Sequence, residues 1–439
     1  EAFRVRGFRR LFAGLSTSML GDSLMLLVLS MWVKTLTGSN AMAGLTFFWM
    51  VVPALFAPLL GMFVDRFRRR PLLVWGNLAS SLVVLPLLLV RDAGDVWVIW
   101  VVAFFYGISF IVLPAALNGL LKELMPEHLL VDANSSLQTV KEGYRLIGPL
   151  VGAGLFGWLG GGAVAVVDAV SFVVAAAFVA WIPLREDRPV RVPQHWWAEM
   201  SGGLRHLVHE RLLKHTLVAF GLMLLVIGFS EASIYAILDG FDKPATFAGV
   251  VVTVQGVGAV VGGLTASRWV RRLGETGAVV VGLVLMAGSL AVVAATSTLW
   301  VMLAAVVPVG YSVPLLFIAF TTLMQRRTPQ SLIGRVSTAV EVVMGVPQAL
   351  SLALGALLVT LVSYHLIFAA MAVVTGIGAV YLVLALGRDA FRPPADGDGA
   401  VGVGDGAAGV GGHGAGVEDA GTAPIREAGP LPAPQPTRP

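Results

Sequence analysis

GMFVDRFRRR, Gly61 to Arg70, ends the second apolar run of the chain with one aspartate and four arginines. The whole chain is 57% hydrophobic and only 13% charged, where soluble domains carry about 25% charged residues. So few polar groups cannot cover a water-soluble globule, so the sequence is that of an integral membrane protein. Where charge is this scarce, a basic cluster marks a turn between membrane segments and the side on which that turn lies.

On both sides of this stretch the apolar runs are continuous. A barrel strand would alternate with period two, and an open sheet cannot satisfy its backbone in lipid, so the runs are helices. With roughly 20 residues needed to cross the hydrocarbon, the sequence predicts twelve spans at about 11–33, 43–64, 71–90, 96–121, 135–158, 163–182, 215–238, 246–267, 276–296, 299–324, 336–362 and 365–386. On this layout, twenty-three Lys and Arg collect on one side, against Lys34, Arg91 and Lys243 on the other. By the positive-inside rule both termini are cytoplasmic.

Other classes are disfavoured. There is no cysteine, hence no disulfide or thiolate chemistry. The net charge of +4 does not point to nucleic acid, because the arginines sit between apolar segments and no basic run is interleaved with aromatics. The apolar run 11–33 is too long for a signal-peptide core and is expected to stay as the first span. GVGAVVGG, Gly256 to Gly263, imitates a dinucleotide fingerprint but lies inside a span rather than after a strand. His209, His215 and His365 lack metal-ligand spacing. No enzyme-like cluster, metal site or cofactor is expected.

The longest internal loop, Arg185 to Lys214, carries Trp197, Leu204, Leu207, Val208 and Leu212 on one helical face, as in an amphipathic segment at a membrane surface. After Arg392 the composition turns to Gly, Ala and Pro, so Ala395 to Pro439 is predicted to be a disordered tail. The expected layout is a cytoplasmic segment 1–9, a six-helix bundle 10–183, a linker 184–214, a second six-helix bundle 215–387 and the tail region 388–439.

The opening stretch recurs. GLTASRWVRR, Gly263 to Arg272, repeats the Gly and three Arg positions 202 residues on, with Ser267 in place of Asp65. MPEHLLVDANSS around Pro126 and TPQSLIGRVSTA around Pro329 echo each other at a spacing of 203 residues. Two halves with matching landmarks are an internal symmetry of many membrane carriers. GMFVDRFRRR also resembles the loop motif G-x-x-x-D-R-x-x-R-R of the major facilitator superfamily, with Gly61, Asp65, Arg66, Arg69 and Arg70 on its positions, and the likeness runs from residue 10 to about 388.

That resemblance implies an all-α membrane protein of twelve helices in two six-helix bundles related by a pseudo-two-fold axis. It implies that Gly61 lets span two approach a neighbour, and that Asp65 rests on the N-terminus of span eleven. It further implies that Arg66 pairs with an acid near the end of span four, here Glu123, so that the loop acts as a conformational latch. RLIGPLVGAG, Arg145 to Gly154, resembles the span-five signature of proton-driven exporters, with Gly148, Pro149 and Gly152 as helix-packing positions. The texture of spans four to six is similar to the macrolide-efflux and secretion-effector branch.

Ionisable groups inside spans are functional candidates by default. Asp22 stands about 12 residues, or roughly 18 Å, into the first span. Asp22 and Glu231 lie on spans that the resemblance places at the cavity, as candidates for proton coupling or substrate binding; a packed Asp22 hydrogen-bonded to Ser18 or a similar neighbour is the structural alternative. Glu142 and Arg145, three residues apart, could form an ion pair. Glu341 is expected near Asp65. Asp168 is expected near the outer end of span six, within reach of interfacial water. The expected function is export of a small organic molecule, a drug or secondary metabolite, in exchange for protons, by a monomer in a bacterial plasma membrane. Proton-coupled uptake, lipid transport and a non-transporting receptor or scaffold are the alternatives.

Overall fold

Backbone groups in lipid have to be paired within their own segment, and the apolar runs meet that demand as helices throughout. The computed structural model describes residues 2–184, 196–329, 332–387 and 391, and forms no β-strand among them. The α-helices are α1 (Arg6–Thr37), α2 (Asn40–Val51), α3 (Ala57–Asp65), α4 (Arg69–Val84), α5 (Val96–Leu124) and α6 (Glu127–Ala180). They continue as α7 (Trp196–His209), α8 (Arg211–Gly240), α9 (Ala248–Ala295), α10 (Leu299–Arg327), α11 (Ile333–Leu358) and α12 (Tyr364–Leu386). Proline, which withholds an N–H from the helical ladder, accounts for the tight 3-10 turns Val52–Phe56, between α2 and α3, and Leu85–Leu89, after α4.

Two of the long helices are broken by a glycine in the left-handed region: Gly160 in α6 (φ 78°, ψ 172°) and Gly274 in α9 (φ 74°, ψ 170°). The neighbours of α6 show what its break does. Before Gly160, Gly148 lies against Ser23 and Gly152 against Leu24 of α1; beyond it, Gly161 meets Trp32, Gly21 meets Ser171, Gly14 meets Ala175 and Gly7 meets Ile182. Rising numbers on α6 thus run up α1 and then back down it. The chain reverses at Gly160, and α6 is two antiparallel helical segments.

Nine helical stretches among the described residues are long and apolar enough to cross a membrane. Their outer faces carry large apolar side chains, including Trp97 near the start of α5, Trp300 near the start of α10, Trp158 beside the Gly160 turn and Trp181 after α6. Exposed tryptophan at helix ends is the pattern of a membrane-interface belt.

Arginines close the ends of helices. The C-terminal carbonyls of α6 are capped by Arg10 on Trp181 O and by Arg70 on Val179 O and Ala180 O. Late in the chain Arg211 of α8 caps Ala385 O at the end of α12. Positive charge is favourable at a helix C-terminus, and the two long-range clamps, Arg10 to Trp181 and Arg211 to Ala385, close loops of 171 and 174 residues. Helix α7 packs on α11, where Gly203 meets the backbone at Arg335, and His206 bonds Arg327 O at 3.1 Å. Of its expected apolar face, Leu207 is buried, while Leu204 and Val208 are exposed. The tail Ala395 to Pro439, the linker stretch 185–195 and the side chains of Trp197 and Glu341 lie outside the described residues.

Candidate functional site

The centre of α1 carries Asp22, and three helices converge on it. Tyr106 of α5 places its hydroxyl 2.9 Å from Asp22 Oδ1 and 3.0 Å from Asp168 Oδ2. Asp168, in the second segment of α6, is fully buried rather than open to interfacial water, because α1 covers it. The approach is permitted by Gly21, where a Cβ would stand 2.2 Å from Ser171 Oγ and 2.5 Å from Asp168 Oδ1. Ser171 donates to the backbone carbonyl of Asp168 at 2.7 Å, and Asp168 Oδ1 has no hydrogen-bond partner. Asp22 is thus hydrogen-bonded to a neighbour, as the structural alternative allowed, and that neighbour is Tyr106 rather than Ser18.

Glu231, on α8, is half-buried. No ion pair found among the described residues includes it, and Arg145 acts on it through space from α6. Glu142 and Arg145 do not make the ion pair their spacing allowed. Glu142 instead accepts a bond of 2.8 Å from Gln138, one turn earlier, and both side chains are exposed. Gly148 and Gly152 bring α6 against α1, since a Cβ at either would stand 2.2 Å from Ser23 Oγ or 2.4 Å from Leu24 O. The carbonyl of Pro149 lies on the other side of α6, against Gly249 of α9.

In the opening loop, Asp65 ends α3, is exposed, and accepts a bond of 2.8 Å from Arg69, which also donates to Val64 O at 2.6 Å. Arg69 lies along Gly119 of α5, whereas a Cβ at Gly61 would meet nothing within 4 Å, so Gly61 makes no close helix approach in this conformation. Arg66 and Glu123 are both exposed.

At the opposite end of α1, Lys34 forms an ion pair of 2.7 Å with Asp239 of α8, and Asn40 of α2 donates to the same Asp239 Oδ2 at 2.9 Å. One turn deeper, Ser30 and Tyr235 share a buried hydrogen bond of 2.6 Å. Close by, Gly44 of α2 packs against the backbone of Ala232. These contacts seal one end between early and late helices, while the end bearing Asp65 lacks that seal at Asp65 itself.

The Major Facilitator Superfamily profile matches the sequence in two overlapping stretches, residues 11–351 and 232–428. The chain belongs to the major facilitator superfamily. Among curated relatives of this superfamily member, the "Uncharacterized MFS-type transporter YfiS" of Bacillus subtilis (strain 168) is 26% identical over 274 residues, covering 61% of this chain and 64% of that protein, just under two thirds of its length. "Macrolide efflux protein A" of Streptococcus pyogenes is 22% identical over 359 residues, 80% of this chain and 88% of that protein. A bacterial homologue of the iron transporter ferroportin shares the fold at 16% identity in its inward-facing state, with a TM-score of 0.68 over 87% of this chain and 99% of that one. Its outward-facing state gives 0.58 over the same shares, at 17% identity. The chain is therefore a multi-pass membrane member of this superfamily.

Of the site residues expected from sequence, the structure gathers Asp22 with an unforeseen partner, Tyr106, and with Asp168, whose burial was not foreseen. Tyr106 is the single tyrosine of its span, but nothing in that run of aromatic residues marked its hydroxyl as a partner for an acid. Glu231 stands apart from this cluster, and Glu341 falls within α11.

Proposed function

We propose that this transporter exports a small organic molecule, a drug or secondary metabolite, in exchange for protons by alternating access. The observation that carries the reading is Asp22, a half-buried carboxylate in the middle of α1 whose described partners include no cation in ion-pair contact. An ionisable group there costs several kcal/mol unless paired or hydrated, and is retained where it does work. A proton is the smallest ligand that changes its charge, and a charge change linked to the side of opening is what coupling requires. The efflux relative supports the outward direction.

Counting the segments on either side of Gly160 and Gly274 separately, and adding α11 to the long apolar stretches, gives twelve spans. The Arg10 clamp within the first half, and the Arg211 clamp that ties the end of the linker to the end of the second, support division into two halves, 10–183 and 215–387. Both termini are cytoplasmic in this reading, and a bacterial plasma membrane houses a single-chain unit. The sealed end at Lys34 and Asp239 is then the outer one. With the outer end sealed by these contacts, the state is inward-open in this reading. On this cycle the latch of Asp65, Arg66, Arg69, Arg70 and Glu123 forms when the protein faces outward. Gly148, Pro149 and Gly152 keep α6 on α1 throughout. Glu231, with Arg145, Glu142 and Glu341 as secondary candidates, contributes charge to the substrate path.

Inverted membrane vesicles test the reading, with erythromycin as the macrolide probe and a pH-sensitive dye. The parent protein accumulates the probe against its gradient with proton movement, and Asp22→Asn loses uphill accumulation while downhill exchange continues. Full proton-coupled accumulation by Asp22→Asn overturns the role of Asp22.

A further inference from the structure

We infer that Asp22 and Asp168 hold one proton between them and that Tyr106 relays it from one to the other. The inference deepens the proton-exchange reading and takes its purpose from it, but its evidence is geometric. A phenol has one proton to donate. Tyr106 nevertheless stands at hydrogen-bond distance from both carboxyl groups, 2.9 Å and 3.0 Å away. With both acids ionised, Tyr106 could serve only one, and the other carboxylate would face the lone pairs of the phenol oxygen. A single proton on the pair removes the conflict. One acid donates to Tyr106 Oη, and Tyr106 donates to the other.

Burial locates that proton. Asp168 is 0% exposed with a bare Oδ1, whereas Asp22 keeps part of its surface accessible. An unpartnered carbonyl oxygen of a neutral acid costs far less than an unpartnered oxygen of a carboxylate. The Ser171 hydroxyl donates to the Asp168 backbone carbonyl at 2.7 Å. The other charged group acting on the cluster, Lys141 of α6, acts on Asp22. The resting arrangement is therefore neutral Asp168, with Oδ2–H donating to Tyr106 Oη, and Tyr106 O–H donating to ionised Asp22 Oδ1.

Relay is a concerted shift along this chain. The Asp168 O–H bond breaks as that proton binds Tyr106 Oη, and the Tyr106 O–H bond breaks as its proton binds Asp22 Oδ1. Tyr106 ends neutral, Asp168 ionised and Asp22 protonated, so one charge has moved with no bond left open. Asp22 then exchanges the proton at the accessible surface, and Asp168 is the store behind it. Asp168 is in this sense a positioning and storage residue that never needs to touch the transported molecule.

Infrared spectroscopy of the purified full-length protein tests the inference without a transport assay, because a protonated carboxyl has its own C=O stretch, apart from carboxylate bands. Near neutral pH, Asp168→Asn should lose one carboxylic-acid equivalent from that region. Asn is isosteric and still donates to Tyr106, so the cluster remains bonded. Tyr106→Phe, which keeps both acids but removes the bridge, should shift the frequency of the band and provides the test should Asp168→Asn not fold. An acid band of unchanged amplitude in Asp168→Asn, or of unchanged frequency in Tyr106→Phe, overturns the shared proton. If the bands behave as stated and the parent moves no protons in vesicles, the shared proton stands and the exchange reading falls.

Discussion

Lys34 and Asp239 lie 2.7 Å apart and join the end of α1 to the end of α8, with Asn40 bonded to the same carboxylate oxygen. The pair is unequally covered, its side chains being 12% and 47% exposed, so its worth is that of a partly screened surface bridge, about 0–1 kcal/mol. Asp239→Asn removes the charge and should shift the closed-to-open ratio of that end by up to roughly fivefold. The chain has no cysteine, so a pair of introduced cysteines on the ends of α1 and α8 can carry spin labels without background. Distance distributions that match those of the parent would show that the bridge does not hold this end.

Gly21 sets the distance between α1 and the second segment of α6. Gly21→Ala pushes a methyl into Ser171 Oγ and Asp168 Oδ1, and overpacking of this kind costs about 1–3 kcal/mol. Gly154→Ala is the matched control, since nothing lies within 4 Å of the added carbon, and alanine in an open helical position gains up to about 1 kcal/mol over glycine. Thermal loss of the monodisperse peak in detergent should come earlier for the first variant and no earlier for the second.

Much of this was legible in the sequence because charge is rare in it. Asp22 stood out as a lone acid deep in an apolar run, and the gap between the expected spans 135–158 and 163–182 holds Gly160, where α6 leaves helical geometry. Tyr106 was not legible, because in a run containing Phe104, Phe105 and Phe110 its hydroxyl changes neither length nor periodicity. Asp168 was misjudged for a related reason: position along one helix gives depth, but the cover comes from α1, more than a hundred residues earlier. The Lys34–Asp239 bridge likewise joins residues 205 apart, and only folding brings them together.

Asp65→Asn tests the latch. Its charge pairs with Arg69 in this conformation and, on the proposed cycle, moves to a helix N-terminus in the other, where a carboxylate gains typically 0.3–1 kcal/mol. Transport should fall at equal membrane abundance, by roughly two- to fivefold from that energy alone. Ser267→Ala, in the uncharged second copy of the motif, should have the smaller effect. Equal rates for Asp65→Asn and the parent would remove the latch from the mechanism.

Glu231 has Arg145 acting on it only through space, which leaves its carboxylate available to a cationic guest. Glu231→Gln should weaken binding of tetraphenylphosphonium by about tenfold, equivalent to about 1.4 kcal/mol, with much less effect on a neutral ligand of similar size. Equilibrium dialysis of both ligands measures this, and equal losses for the two would point to a packing role instead.

The arginine clamps bear on how such a molecule could arise. Arg10 ties the first helix to the end of α6, and Arg211 ties α8 to the end of α12. On the proposed two-half division, each half thereby fastens its own beginning to its own end. A segment closed in this way can be copied whole within a gene, and the copy arrives already able to hold its shape while the seam between the two is still being refined.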